Sequence, residues 1–141
     1  MASASKEKYV WISQDGARIH TNNGRIVKTV GLQHNVSTLD GSQDIKLTSF
    51  INYEPSMFYR RNTLLELSNP NAIIAQEFTL TEKGIDSKYF NSMLYTEDFT
   101  SGKLAFSGTN YYWVDPKGRV IKTEQFTHPS LPKVVIEFYF K

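Results

Sequence analysis

The sequence predicts an all-β domain: an antiparallel meander curled into a barrel-like shape or folded as a sandwich. Three observations lead there. Apolar residues recur with a period of two, the spacing at which a strand sends successive side chains to opposite faces. Turn-forming residues separate these runs. The runs are short and evenly spaced along 141 residues, a length that suits one domain with a closed core.

Residues 1–8 are small and polar, and read as a flexible linker or the remnant of a longer precursor; 9–141 form the domain. The first strand, 8–13, carries Tyr9-Val10-Trp11-Ile12 and stops at Gln14-Asp15-Gly16. The second, 17–22, ends in Asn22-Asn23-Gly24. Asn-Gly is the strongest short hairpin signal, because both positions of the favoured turn need positive φ. A third strand follows over 25–32. Beyond Asp40-Gly41-Ser42 comes 45–53, where Ile45, Leu47, Ile51 and Tyr53 alternate with Lys46, Thr48 and Asn52. Strands at 57–67 and 73–82 come next; in the latter Phe78 and Leu80 alternate with Glu77, Thr79 and Thr81. Lys83-Gly84 breaks it before 88–95. Ser101-Gly102, Ser107-Gly108 and Pro116-Lys117-Gly118 then delimit strands at 103–107, 109–115 and 118–127. The last, 133–140, sets Val134, Ile136, Phe138 and Phe140 against Val135, Glu137 and Tyr139. One short helix over 57–67 or 85–95 stays open, although neither stretch joins a cap to an apolar stripe.

Composition excludes several classes of function. Sixteen Lys+Arg against fourteen Asp+Glu leave a net charge of +2. The longest basic pair is Arg60-Arg61, so the stripe of positive charge that a nucleic-acid binder uses is missing. With 40% apolar and 21% charged residues, wholesale disorder is excluded. The chain has no cysteine, which removes disulfides, thiolate zinc sites, iron–sulfur clusters and cysteine nucleophiles. No apolar run approaches the roughly 20 residues that span a bilayer, and no signal peptide is recognisable.

Two internal echoes stand out. Tyr9-Val10-Trp11-Ile12 and Tyr111-Tyr112-Trp113-Val114 are each followed by a turn and a glycine, Gly16 or Gly118. Gly24-Arg25-Ile26-Val27-Lys28-Thr29 matches Gly118-Arg119-Val120-Ile121-Lys122-Thr123. Shared hairpin grammar accounts for both; duplication of a half-barrel is the sharper reading, which the unequal offsets disfavour.

The order of these motifs carries a resemblance. Trp11-Ile12-Ser13-Gln14-Asp15-Gly16-Ala17 leads into Thr21-Asn22-Asn23-Gly24-Arg25-Ile26-Val27-Lys28-Thr29-Val30-Gly31-Leu32. Near the end stand Tyr112-Trp113-Val114-Asp115-Pro116-Lys117-Gly118-Arg119-Val120, then Gln125-Phe126 and Pro129-Ser130-Leu131-Pro132. The combination resembles the GfcB/YjbF (YmcC-like) family of group 4 capsule or exopolysaccharide lipoproteins, over about 9–141. The resemblance implies a largely β domain at the periplasmic face of an outer membrane. It also implies a place among proteins that make or export capsule or exopolysaccharide, with the export proteins or the polysaccharide itself as partner. Members carry a signal peptide and a lipidated cysteine; this sequence shows neither, so membrane anchoring by lipid is expected of a parent protein. The resemblance supplies no catalytic residues.

The residues themselves offer little catalytic chemistry. His20, His34 and His128 are scattered, and no metal or cofactor is expected. Asp15, Asp115 and the pair Glu97-Asp98 could serve glycan hydrolysis, which needs two acids flanking the bond, but turn aspartates ordinarily bond local backbone. No nucleophile elbow or phosphate loop is present. Aromatics are the richest feature: nine Phe, eight Tyr and two Trp. Phe50, Phe78, Phe106, Phe138 and Phe140 fall at core positions. Tyr9, Trp11, Tyr111, Tyr112, Trp113 and Tyr139 suit either packing, including Trp11 against Trp113, or a sugar or partner surface. Arg25, Lys28, Arg119 and Lys122 fit a solvated sheet surface or contact with an acidic polysaccharide. The candidate binding surface is therefore Trp11, Arg25, Tyr112, Trp113 and Arg119. The leading expectation is a non-enzymatic accessory protein that docks a partner or glycan. The alternative is a carrier holding a lipid or lipid-linked sugar inside the curl. A glycan-active enzyme ranks last.

Overall fold

The computed structural model describes residues 4–5, 8–38, 56–66, 72–102 and 104–138. Eleven strands run in chain order: Ala4–Ser5 (β1), Lys8–Ile12 (β2), Arg18–Asn22 (β3), Arg25–Val30 (β4), Val36–Thr38 (β5), Ser56–Leu65 (β6), Ala72–Asp86 (β7), Ser92–Ser101 (β8), Leu104–Val114 (β9), Val120–Gln125 (β10) and Val134–Glu137 (β11). They form one sheet in which every strand pairs with its sequence neighbours, antiparallel throughout. The all-β meander is thus the observed fold. The described residues contain no helix, and the described parts of both stretches left open for one are strand, turn or irregular. The expected strand 45–53, with Phe50, and the positions of Tyr139 and Phe140 lie outside the described residues.

Two expected breaks are not breaks. β7 runs through Lys83-Gly84, where the register against β8 shifts between Glu82 and Gly84. Gly84 absorbs this bulge at φ 99°, a value that costs glycine little. β9 likewise runs through Ser107-Gly108 and joins two expected strands into one. The glycine answers a packing need there: a Cβ on Gly108 would stand 2.9 Å from the Phe126 ring. Conversely, β8 starts only at Ser92, because residues 87–91 make a turn with Phe90 and Asn91 at φ 53° and 51°.

The Tyr-x-Trp echo encodes a repeated hairpin. After β2, Ser13 N–H donates to Ala17 O (2.9 Å) and Gly16 N–H to Ser13 O (3.1 Å). After β9, Asp115 N–H donates to Arg119 O (2.9 Å) and Gly118 N–H to Asp115 O (2.9 Å). The second echo, in β4 and β10, marks the seam where the curled sheet meets itself. Ile26 N–H donates to Gln125 Oε1 at 3.0 Å, and Gln125 Nε2 donates to Gly24 O at 2.7 Å. The N-terminal strands so fold back over the C-terminal ones. One apolar cluster sits at this seam, with Ile26, Leu80, Tyr95, Tyr112, Val114, Val120, Ile136 and Phe138. A second, aromatic cluster of Tyr59, Phe78, Phe99 and Phe106 lies under β6–β9. Phe78, Phe106 and Phe138 occupy the core as their alternation predicts.

Candidate functional site

Inside the curl, the two clusters meet at a charged group. Glu97, in the middle of β8, is 1% exposed, as is Arg25 of β4. Arg25 Nε donates to Glu97 Oε2 at 3.1 Å, and its terminal nitrogen lies 3.0 Å from the same oxygen. Tyr59 of β6 donates its hydroxyl to Oε2 as well. Oε1 accepts from Asn110 Nδ2 at 3.1 Å and from the Tyr112 hydroxyl at 2.8 Å, both on β9. The guanidinium lies over the Tyr59 ring, 4.7 Å from its centroid. Burial pushes the Glu97 carboxyl up; Arg25, then the Tyr59 and Asn110 hydrogen bonds and the charge of Arg61, more than reverse it, and the group ends below its ordinary value. Burial above all holds the Tyr59 and Tyr112 phenols well above theirs, so both remain donors. This arrangement stabilises and closes; it exposes no reactive atom.

Arg25 and Tyr112, expected on a binding surface, are therefore interior residues. The counter-charge that makes burial of Arg25 tolerable comes from a residue 72 positions away, which no local pattern announces. Trp11 also faces inward, packed edge-on against Phe138 at 5.2 Å. Arg119 stays at the surface but closes its own turn, with Nε 3.0 Å from Asp115 Oδ2. Of the five candidates, Trp113 alone belongs to an aromatic assembly on the outer face.

That assembly is a row. Tyr111 and Trp113 stack at 6.1 Å, Trp113 meets Tyr89 at 6.0 Å, and Tyr89 meets Phe90 edge-on at 5.0 Å. Trp113 is 9% exposed and Phe90 is 82% exposed, so the row runs from a buried anchor to a bare ring. Lys122 Nζ sits 5.0 Å from the Trp113 centroid and 5.1 Å from that of Tyr89; Lys133 Nζ lies 5.4 Å from that of Tyr111. Glu124 bridges the two ammonium groups at 3.8 and 3.7 Å. Tyr89, Phe90 and Lys133 were not among the sequence candidates; Lys122 was one, as a contact to an acidic polysaccharide, but lay outside the five-residue surface. The signal for the first two was a Tyr-Phe pair directly before the turn residue Asn91, read instead as strand.

The indole N–H of Trp113 donates to Asp86 Oδ2 at 2.8 Å and fixes the 87–91 turn to β9. This bond, with the Lys88 N–H, holds the Asp86 carboxyl below its ordinary 3.8. A depressed carboxyl stabilises the fold above its unfolded value and loses that contribution as pH falls through its folded one. The Trp113 indole proton resonance is expected to titrate with a midpoint below 3.8; Asp86→Asn should abolish that titration.

The remaining sequence candidates separate. Glu97 and Asp98 point to opposite faces of β8, and Asp98 accepts from Thr109 Oγ1 at 2.6 Å. Asp15 and Asp115 serve their turns, with Ser13 donating its hydroxyl to the first and Lys117 N–H donating to the second at 3.0 Å. His34 and His128 stack at 4.7 Å. His128 Nδ1 accepts from Ser130 N–H, so Nε2 carries the proton it donates to Glu66 O at 2.7 Å. Burial holds the His128 imidazole below its ordinary value. Among the described residues no three of His, Asp and Glu converge as metal ligands. The void between Arg61, Thr63, Gln76, Asn110 and Thr127 measures about 10 Å³, room for one water and far too small for an acyl chain.

Comparison with known proteins agrees with this architecture. Residues 1–139 match the sequence profile of the family described as group 4 capsule polysaccharide lipoprotein gfcB, YjbF. The chain belongs to the YjbF/GfcB family. It is similar to the uncharacterized lipoprotein GfcB of Escherichia coli K12, with 26% identity over 139 residues, which cover 94% of this chain and 65% of that protein. The chain thus spans slightly less than two thirds of that YjbF/GfcB relative. It also matches the crystal structure of the hypothetical lipoprotein YmcC from Escherichia coli K12, with a TM-score of 0.79 and 23% identity, over 94% of this chain and 71% of that one. The second match establishes a shared fold. The YjbF/GfcB family is named for capsule lipoproteins and not for a reaction.

Proposed function

We propose that this YjbF/GfcB domain is a non-enzymatic accessory protein of capsule or exopolysaccharide assembly or export, held at the periplasmic face of the outer membrane. It acts by binding, and its ligand is the polysaccharide itself, docked along the outer aromatic row. The observation that carries this reading is the row Phe90–Tyr89–Trp113–Tyr111 with Lys122, Lys133 and Glu124 beside it. A pyranose presents axial C–H groups to a ring face and hydroxyls to neighbouring charged groups. Tyrosine and tryptophan combine an apolar body with a polar tip and suit such wet contacts. Lys122 and Lys133, spread over the rings, supply donors for hydroxyl or carboxylate oxygens.

Titration of the protein with purified capsular polysaccharide, followed by tryptophan fluorescence and calorimetry, tests this. Saturable binding is expected, and the double substitution Tyr89→Ala, Phe90→Ala should weaken it at least about tenfold, or 1.4 kcal/mol. Binding that ignores these substitutions defeats the row as the site. Capture of an export protein by a surface that takes no polysaccharide replaces the glycan with a protein partner.

A further inference from the structure

We infer that the outer face between β4, β5 and β6 carries a second site, a small cleft that takes one neutral hexopyranose ring through a pair of adjacent hydroxyls. This goes beyond the polymer-binding row, which other strands build.

The cleft arises from a fault in the sheet. The β4–β5 ladder has a single pair, Lys28↔Ser37. The Val36 N–H is donated to a side chain, Thr29 Oγ1, at 3.0 Å. The Thr29 hydroxyl thus takes the place of a backbone acceptor, and the ladder goes no further than that one pair. The opening has a volume of about 230 Å³ and is lined in part by Lys28, Val30, Asn35, Ser37, Leu64 and Glu66. That is below the roughly 300 Å³ at which pockets for larger ligands begin, and suits a single ring.

The lining has the two characters a sugar needs. Val30 and Leu64 offer an apolar wall for ring C–H groups. Asn35 is already fixed: it accepts from Leu32 N–H at 3.0 Å, donates to Leu32 O at 3.1 Å, and gives its other N–H to Glu66 Oε1 at 3.1 Å. It thereby holds the Glu66 carboxylate in place and leaves Oε2 uncommitted among the described residues. The Lys28 ammonium and the Ser37 hydroxyl also have no intramolecular partner among the described residues. A carboxylate and an ammonium across a small cleft match a vicinal diol: one hydroxyl donates to Glu66 and its neighbour accepts from Lys28, with Ser37 free to do either. The two charges cancel, so a uronic acid gains from Lys28 no more than it loses to Glu66 and still gives up the hydration of its carboxylate; a neutral sugar makes the same diol contacts without that cost.

Two-dimensional amide NMR on the full chain, titrated separately with glucose, galactose, mannose and glucuronate, tests the site. At least one neutral hexose should shift the amides of residues 28–37 and 64–66 saturably, with Kd of about 1–10 mM. Glu66→Gln and Ser37→Ala should each weaken it by about tenfold while amide positions elsewhere stay unchanged. Phe90→Ala, in the outer row, should not affect it. Absence of saturable shifts with all three hexoses, shifts elsewhere only, or tighter binding of glucuronate overturns the inference. Hexose binding here with no polysaccharide on the outer row would overturn the row alone, and the reverse result would overturn the cleft alone.

Discussion

Glu97→Leu is expected to destabilise the protein by about 3–5 kcal/mol, the usual cost of stranding one partner of a buried ion pair. Arg25 would stay 1% exposed without the Glu97 carboxylate it pairs with, and Tyr59, Asn110 and Tyr112 would each lose a Glu97 oxygen they donate to. Adding Arg25→Met should restore only part of the loss. It removes the buried cation, yet the Tyr59 hydroxyl and the Asn110 amide still lack the acceptor they had in Glu97, each an unmade bond worth about 1–3 kcal/mol, while Tyr112 keeps Gln125 Oε1 at 3.3 Å. Urea unfolding of the single and double variants measures both steps, and an unchanged midpoint in Glu97→Leu would refute the closed node. The sign of the pH response follows from the lowered carboxyl. Its contribution is complete above the unfolded value and disappears as pH falls through the folded one. Glu97→Gln should therefore flatten the acid limb of the stability profile.

The second large effect is expected at Gly24. Its φ is +83°, and a Cβ there would lie 2.6 Å from both Cβ and Cγ2 of Val120. Gly24→Ala combines left-handed strain of about 1–2 kcal/mol with overpacking of about 1–3 kcal/mol. Gly16→Ala is the natural control, because Gly16 has a similar φ of +87° with nothing within 4 Å. The difference between their unfolding midpoints isolates the contact across the seam. Val120→Ala should not rescue Gly24→Ala, since the valine Cβ is itself one of the nearest atoms. Equal losses at Gly16 and Gly24 would mean that β4 and β10 do not touch in solution.

These two sites show what a sequence can and cannot reveal. Period-two alternation placed Phe78, Leu80 and Phe106 on the core side, since facing is a local property of a strand. Asn22-Asn23-Gly24 and Pro116-Lys117-Gly118 marked real hairpins, because turn chemistry is also local. Gly84 and Gly108 misled for the same reason: a glycine that serves a bulge or a neighbouring ring looks like one that serves a turn. Arg25 looked like a surface residue because its justification, Glu97, lies far along the chain and was itself read as an ordinary acid near a strand end. Tyr112 followed suit. Trp113 was legible as an ambiguous aromatic, while Tyr89 and Phe90, which extend it into a row, depend on a turn that folds back onto β9. The Lys28–Glu66 cleft lies beside a ladder cut to a single pair, and side-chain spacing along one strand carries no trace of it.

The bond from Gln125 to Gly24, spanning 101 residues, has a bearing on biogenesis. Until β4 has met β8 and β9, Arg25 lacks the Glu97 carboxylate and stays hydrated. Non-local closure of this kind is slow, and in the interval unpaired strand rims are open to wrong neighbours. A cation that can be buried only together with its carboxylate leaves the unfinished fold a charged, water-loving patch until the two meet.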